Sequence, residues 1–282
     1  MQSKSPGVRL QKAMAEAGIG ARRDCEQMIL DGRVKVNGRV VKELPCFIDP
    51  ARDVVELDGT IVDLPEMLQE RPARAPVYYL INKPKGVITT TRDPQGRRNV
   101  LDLLPPKVRQ QERLYPVGRL DADSTGLLLL TNDGDLAFRL THPKFGVTKE
   151  YRVSCTGLAT DEQLRKLKEG MYLITPTADG AKAAKRASAE SVRILKRLVD
   201  RSRGDRTLLS ITLREGQNRE IRRMLARVGL KVRELERVAI GPLRAPELKP
   251  GQFKLLGKRD IERLRDATLT SGRTSTAAAG RR

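Results

Sequence analysis

The stretch GRLDADSTGLLLLTNDGD, residues 118–135, brackets an unbroken apolar run with aspartates, in a chain where lysine and arginine dominate. A carboxylate in such a place can turn the chain or cap a helix. Alternatively it can react, as a nucleophile at an electrophilic carbon or as a base that removes a proton. Asp133 and Asp135 follow the run in NDGD, just ahead of LAFRLT, which suits them to the turn and to the cap of the next helix. Asp121 and Asp123 instead precede the run. Together with the hydroxyls of Ser124 and Thr125 they lie on the loop that enters it, behind Arg119. Spacing alone leaves both readings of Asp121 open. A half-buried acid that reacts must stay ionised, which burial opposes and a neighbouring cation restores.

The elements that would position this acid can be read from periodicity and turn signals. GLLLLT (126–131) is a short strand buried on both faces. Further strands are expected at 77–82, 86–91, 113–117, 149–155, 207–213 and 231–239, with helices at 99–104, 134–141, 160–169 and 217–228. The basic segment 177–197 reads equally as a helix or as a loop feeding a strand, and GAKAAKRAS (180–188) within it looks irregular. His142, the one histidine, sits between a helix end and a proline and suits a C-terminal cap.

Ahead of this body, residues 8–18 place Leu10, Ala13, Met14 and Ala17 on one helical face and stop at Gly18. Residues 21–32 repeat the plan with Cys25, Met28, Ile29 and Gly32. RVKVNGRVV (33–41) is a hairpin about Asn37-Gly38. Arg22, Arg23, Arg33, Lys35 and Arg39 gather at one edge of this unit, as a local basic face or as a solvated charge run. The organisation expected is a small domain at 7–65, a proline-rich linker at 66–76, a larger α+β domain at 77–258 with a mixed, mostly antiparallel sheet, and a disordered basic tail at 259–282.

The chain of 282 residues has a formal net charge of +20 and a pI near 10.3. Residues 1–75 hold 12 basic and 12 acidic side chains, whereas 151–258 hold 25 and 12, so the excess belongs to the body and not to a tail. Such a field favours polyphosphate, because binding releases condensed counterions. With no Trp, five Tyr and four Phe, long runs of stacked bases are not the expected mode. Three scattered cysteines suit a reducing, cytoplasmic setting, and the sequence holds neither metal-ligand spacing nor a glycine-rich cofactor loop. No membrane segment is expected.

GRLDADSTGLLLLTNDGD resembles the catalytic motif of pseudouridine synthases of the RsuA/RluB type. LINKPKGVITT (80–90), KEYRV (149–153), EGQNREIRRML (215–225) and RVAIGPL (237–243) agree with that family in order and spacing, and residues 7–65 resemble the ribosomal protein S4-type RNA-binding domain. The resemblance implies isomerisation of uridine to pseudouridine in ribosomal RNA or an assembling subunit, without a cofactor and by a monomer. It leans toward the large subunit. The alternatives are a small-subunit enzyme and a non-catalytic RNA-binding assembly factor. It further implies that Asp121 is the catalytic nucleophile, Arg222 its guanidinium partner, Tyr151 the ring that stacks on the extruded uracil, Arg119 a holder of the flipped nucleotide, and the basic edge at Arg22, Arg23, Arg33 and Lys35 a grip on structured RNA. Lys83 and Lys85 in NKPKG, with Arg219, Arg223 and Arg227 on one helical stripe, are expected to face RNA phosphates.

Overall fold

The structure is a computed structural model that describes residues 7–64, 75–176, 182–200, 202 and 204–270. It divides into two units, Met1–Ala75 and Pro76–Arg282. The expected linker falls largely outside the described residues, as does the chain beyond 270.

In the first unit β1 (Val8–Arg9), α1 (Leu10–Glu16) and α2 (Arg22–Leu30) precede the strands β2 (Val34–Val36), β3 (Arg39–Val41), β4 (Phe47–Ile48), β5 (Val55–Leu57) and β6 (Thr60–Ile61). Leu10, Ala13, Met14, Cys25 and Ile29 pack with Val34, Ile48 and Val55 into one core, as the helical spacing requires. The turn between β2 and β3 places Asn37 at φ 51° and Gly38 at φ 74°, the pair of left-handed residues that lets a two-residue hairpin follow the strand twist. Strands β4 to β6 are not among the expected elements, because runs of two or three residues are too short for an alternation to show.

In the second unit come β7 (Tyr78–Lys83), α3 (Pro106–Gln111), β8 (Tyr115–Pro116), β9 (Thr125–Thr131), α4 (Gly134–Thr141) and β10 (Lys149–Thr156). After them follow α5 (Asp161–Glu169), β11 (Met171–Pro176), β12 (Lys182–Ala187), β13 (Ser191–Leu198), β14 (Arg206–Leu213) and α6 (Glu220–Arg227). The last are β15 (Val232–Ile240), β16 (Phe253–Leu255) and α7 (Lys258–Thr270). The main sheet runs β13-β14-β10-β15-β9-β7-β16, with β8 also on β9; β11 and β12 form a separate hairpin. All pairs are antiparallel except β15 with β9, which meet in parallel at Glu236–Thr125 and Arg237–Gly126. The fold is α+β with a mixed, mostly antiparallel sheet.

Strand β9 explains where the cores lie. Leu128 and Leu130 point into one core, roofed by α5, α6 and the turn at Val100–Leu103; Leu127 and Leu129 point into the other, roofed by α4 and α7. All four are 3% exposed or less, so both sheet faces are dry there. Asp133 caps α4 by accepting from the Leu136 amide at 2.9 Å, and His142 ends it.

Three expectations are corrected. Residues 86–91 form no strand, because their backbone bonds instead to the loop at 98–100: the Ile88 amide donates to Arg98 O and the Val100 amide to Ile88 O. The segment after 181 forms two strands, β12 paired with β11 and β13 paired with β14. The tail is ordered as α7 as far as Thr270, since Ile261, Leu264 and Thr268 recur at helical spacing and Leu264 is wholly buried against α4 and the sheet. Leu264→Ala is therefore expected to destabilise the protein by about 3 kcal/mol, read as a fall in the urea midpoint; no change would mean that α7 does not pack.

Candidate active site

The loop ahead of β9 hangs from buried anchors. Leu120 is 5% exposed and Ser124 1%, so Asp121 and Asp123 are held between two fixed points. The Ser124 amide closes a turn on Asp121 O at 3.0 Å. From the other side the 86–89 loop braces it: the Gly86 amide donates to Ala122 O at 2.7 Å, and Thr89 Oγ1 donates to Leu120 O at 2.7 Å. Gly126, at the parallel crossing, has φ 107°, and a Cβ there would lie 2.3 Å from Arg237 O. No other residue fits so close a backbone approach.

The cation beside Asp121 is not the expected one. Arg219 Nη1 lies 3.4 Å from Asp121 Oδ2 and 3.3 Å from Asp123 Oδ1, bridging the two acids. Arg222 reaches Asp123, at 3.1 Å to its Oδ2 and 3.2 Å to its carbonyl. The reason is local backbone. Arg219 is the N-cap of α6 in a left-handed conformation, φ 48° and ψ 34°, which swings it out of the helical stripe with Arg223 and Arg227 and over the acids. A non-glycine residue held there signals a constraint that its surroundings sustain. Burial works against ionisation of Asp123, but the Arg219 hydrogen bonds and the charges of Arg222 and Arg219 outweigh it and hold that carboxyl below its usual range. The phosphate stripe is corrected with it: the guanidiniums of Arg223 and Arg227 donate to the carbonyls of Ile174 and Tyr172 and so fasten β11 to α6.

Asp121 and Tyr151 line one cavity of about 370 Å³, walled also by Arg119, Ser124, Leu213 and the Gly216–Ile221 turn. Tyr151 comes from the middle of β10, between Ile211 and Arg237, beside a register shift in the β10–β15 pairing. Such irregularities re-aim side chains at sites. Ser124 Oγ is buried and unpartnered among the described residues, a polar group left over for a ligand or water. Arg119 is exposed at the cavity wall and Lys85 is exposed on the bracing loop. Sequence reasoning missed Asp123 as the hub of the ion pairs, although its two-residue offset from Asp121 was a visible signal. It also missed the buried Arg237, whose Nε donates to Leu127 O at 2.7 Å.

The expectation for Lys83 fails. Its side chain is 0% exposed, and Nζ donates to Val87 O at 2.6 Å and Pro84 O at 3.0 Å, tying the bracing loop together out of reach of any phosphate. Burial lowers its pKa to about 8, against the opposing pull of Asp123 and Asp121. Between about 8 and the ordinary 10.5 the unfolded chain keeps a proton that the folded chain has released, so stability rises with pH through that window. Lys149, lowered to about 8 by burial and by Arg237, adds a rise of its own. Lys83→Met is expected to flatten the increase in Tm between about pH 8 and pH 10 relative to wild type, as thermal unfolding at several pH values would show.

In the first unit Arg22 and Arg23 are exposed at the start of α2 and Lys35 is half-buried on β2. Arg33 is engaged by Asp58, at 3.0 Å from Nε and 2.5 Å from Nη2, so its charge is shared.

Residues 77–227 match the RNA pseudouridylate synthase family, and residues 8–44 match the S4 domain. An uncharacterized RNA pseudouridine synthase of Mycobacterium tuberculosis (strain ATCC 25618 / H37Rv) is 41% identical over 267 residues, 94% of this chain and 96% of its own length. Ribosomal large subunit pseudouridine synthase B of Bacillus subtilis (strain 168) is 37% identical over 257 residues, 91% and 95% of the two chains. A crystal structure of a pseudouridylate synthase superposes with a TM-score of 0.58 at 25% identity, covering 91% of this chain and 99% of that one. With both family models matched in order and relatives 37% and 41% identical over 91% and 94% of its length, the chain belongs to the RNA pseudouridine synthase family.

Proposed function

We propose that the chain converts uridine to pseudouridine in ribosomal RNA of the large subunit, acting as a monomer with Asp121 as the reacting carboxylate. The observation that carries this reading is the shared cavity: Asp121 on one wall, Tyr151 on another, and Arg219 at 3.4 Å from the acid. In the reaction the bond from uracil N1 to ribose C1′ breaks, the base turns, and C5 joins C1′. The C5 proton is lost and N1 regains one, so atoms and electrons balance within one nucleotide. Asp121 can serve by attacking C1′ or by removing a sugar proton, and both routes need it ionised. Arg219, 3.4 Å from Asp121 Oδ2, is the cation that faces this carboxylate across the cavity. The uracil must first leave its stack, which costs a few kcal/mol; Tyr151 offers it a ring face, and Arg119 stands where the nucleotide enters. Arg222 acts one step removed, by fixing Asp123 and its carbonyl.

Large-subunit RNA is favoured because relatives from Bacillus subtilis (strain 168) and Yersinia pestis, 37% and 38% identical, carry that substrate in their names. The test is carbodiimide mapping of pseudouridine in ribosomal RNA from cells lacking the protein. One large-subunit site or more should be missing and should return on complementation. A complete set of sites in the deletion strain would overturn the reading.

A further inference from the structure

A second concavity, of about 500 Å³, lies against the first, and the two share Gly118 and Arg119 as a common wall. Its lining is unlike that of the catalytic cavity: Thr90, Val117, Thr141 and the ring of Phe138 around the Arg119 edge. Phe138 is 50% exposed, although its helix buries Leu136 and Leu140 in the usual way. The ring is also fixed. It stands 5.0 Å from His142 and meets Phe145 edge-on at 5.7 Å, while Lys144 Nζ lies 5.4 Å from its centroid. Three of the lining threonines donate their hydroxyls to backbone carbonyls, Thr89 to Leu120 O, Thr90 to Arg92 O and Thr141 to Ala137 O, so most of this wall offers apolar contact.

A rigid, half-exposed aromatic ring with an ammonium over one side of it and a guanidinium at the rim matches one chemical unit well, a nucleobase with its phosphate. An apolar protein partner would leave both cations unanswered. We propose that this groove is a second nucleotide subsite, which takes an unstacked base of the same RNA close in sequence to the target uridine. The base stacks on Phe138 and its phosphate lies toward Lys144 and Arg119. The subsite rests on the RNA-modifying reading above and adds to it a source of selectivity, since only an RNA that can splay two nearby nucleotides fills both concavities. It also fits a chain poor in aromatic residues: one placed ring suffices where a single base is gripped.

The test uses the full chain and a transcribed large-subunit RNA fragment containing the uridine found by mapping. Steady-state kcat and KM are measured for wild type, Phe138→Ala, Phe138→Leu and Phe138→Tyr, with thermal unfolding as the check on folding. Loss of one stacked base is expected to raise KM about tenfold in the Ala and Leu variants, with kcat little changed and Tyr close to wild type. The Leu variant separates stacking from mere apolar packing. An abasic scan of nucleotides flanking the target should find one position whose loss weakens wild type but not Phe138→Ala. If wild type forms pseudouridine and Phe138→Ala keeps its KM, the subsite is refuted while the catalytic reading stands. If wild type forms none, the catalytic reading fails, and the Kd of the same fragment for wild type and Phe138→Ala still decides the subsite, equal values refuting it.

Discussion

Asp121→Asn is expected to bind its RNA as wild type does and to form no measurable pseudouridine, with a loss in kcat of about 10⁴-fold or more, the scale seen when a reacting side chain is removed. Asparagine keeps the shape of the side chain and removes only its charge. Arg219 is not orphaned by the change, because Asp123 still accepts from both of its terminal nitrogens at 3.3 Å. The fold therefore has little reason to suffer, and a thermal melt should place the variant close to wild type. That combination separates catalysis from binding, which a test of RNA affinity cannot do: the cationic surface that draws RNA is untouched. In complemented cells the missing site should return with wild type only. Restoration by Asp121→Asn would remove Asp121 from the chemistry and leave the shared cavity without a reacting group.

Gly126→Ala is expected to cost about 4 kcal/mol or more, which for a unit of this size lowers Tm by roughly 8–16 °C. Two penalties coincide. An alanine at φ 107° is strained whatever the space around it. There is also no space, since the added methyl would sit 2.3 Å from Arg237 O and 2.5 Å from Arg237 N, both backbone atoms of the neighbouring strand. Side chains can rotate away from a clash; a strand fixed on both sides cannot, and overpacking is correspondingly severe. Because β15 and β9 meet in parallel only at Thr125 and Gly126, their separation there would disturb the root of the Asp121 loop as well. Differential scanning calorimetry would measure the shift, and a variant melting within about 2 °C of wild type would show that the crossing is looser than drawn.

How much of this was legible in the residues varies with the range of the interaction. The buried strand at 126–131, the helix at 134–141 and its Asp133 cap were readable because their signals are local: a run of leucines, then NDGD. Placing Asp121 and Tyr151 in one cavity needed the family resemblance, since 30 residues of sequence and a strand crossing separate them. Sequence could not choose Arg219 over Arg222 as the neighbour of Asp121. The choice turns on one left-handed residue, and arginine carries no propensity that announces such a conformation. Lys83 was misjudged for a related reason. A lysine in a loop motif reads as solvated, and only the carbonyls of Pro84 and Val87 show that it serves the interior. The missing strand at 86–91 and the unexpected α7 share a cause: each is decided by what packs opposite, the 98–100 loop in one case and the underside of the sheet in the other.

The alternation of β9 between two dry cores has a mechanical corollary. Sliding this strand by a single residue would send Leu127 and Leu129 into the space of Leu128 and Leu130, so no small adjustment of register exists. The acid five residues upstream of Gly126 is thus mounted on a part that cannot yield. When enzyme and RNA meet, the compliance must come from the nucleic acid. If the proposed reaction holds, uridines in loops and bulges, which swing out cheaply, are expected to be favoured over those locked in a duplex.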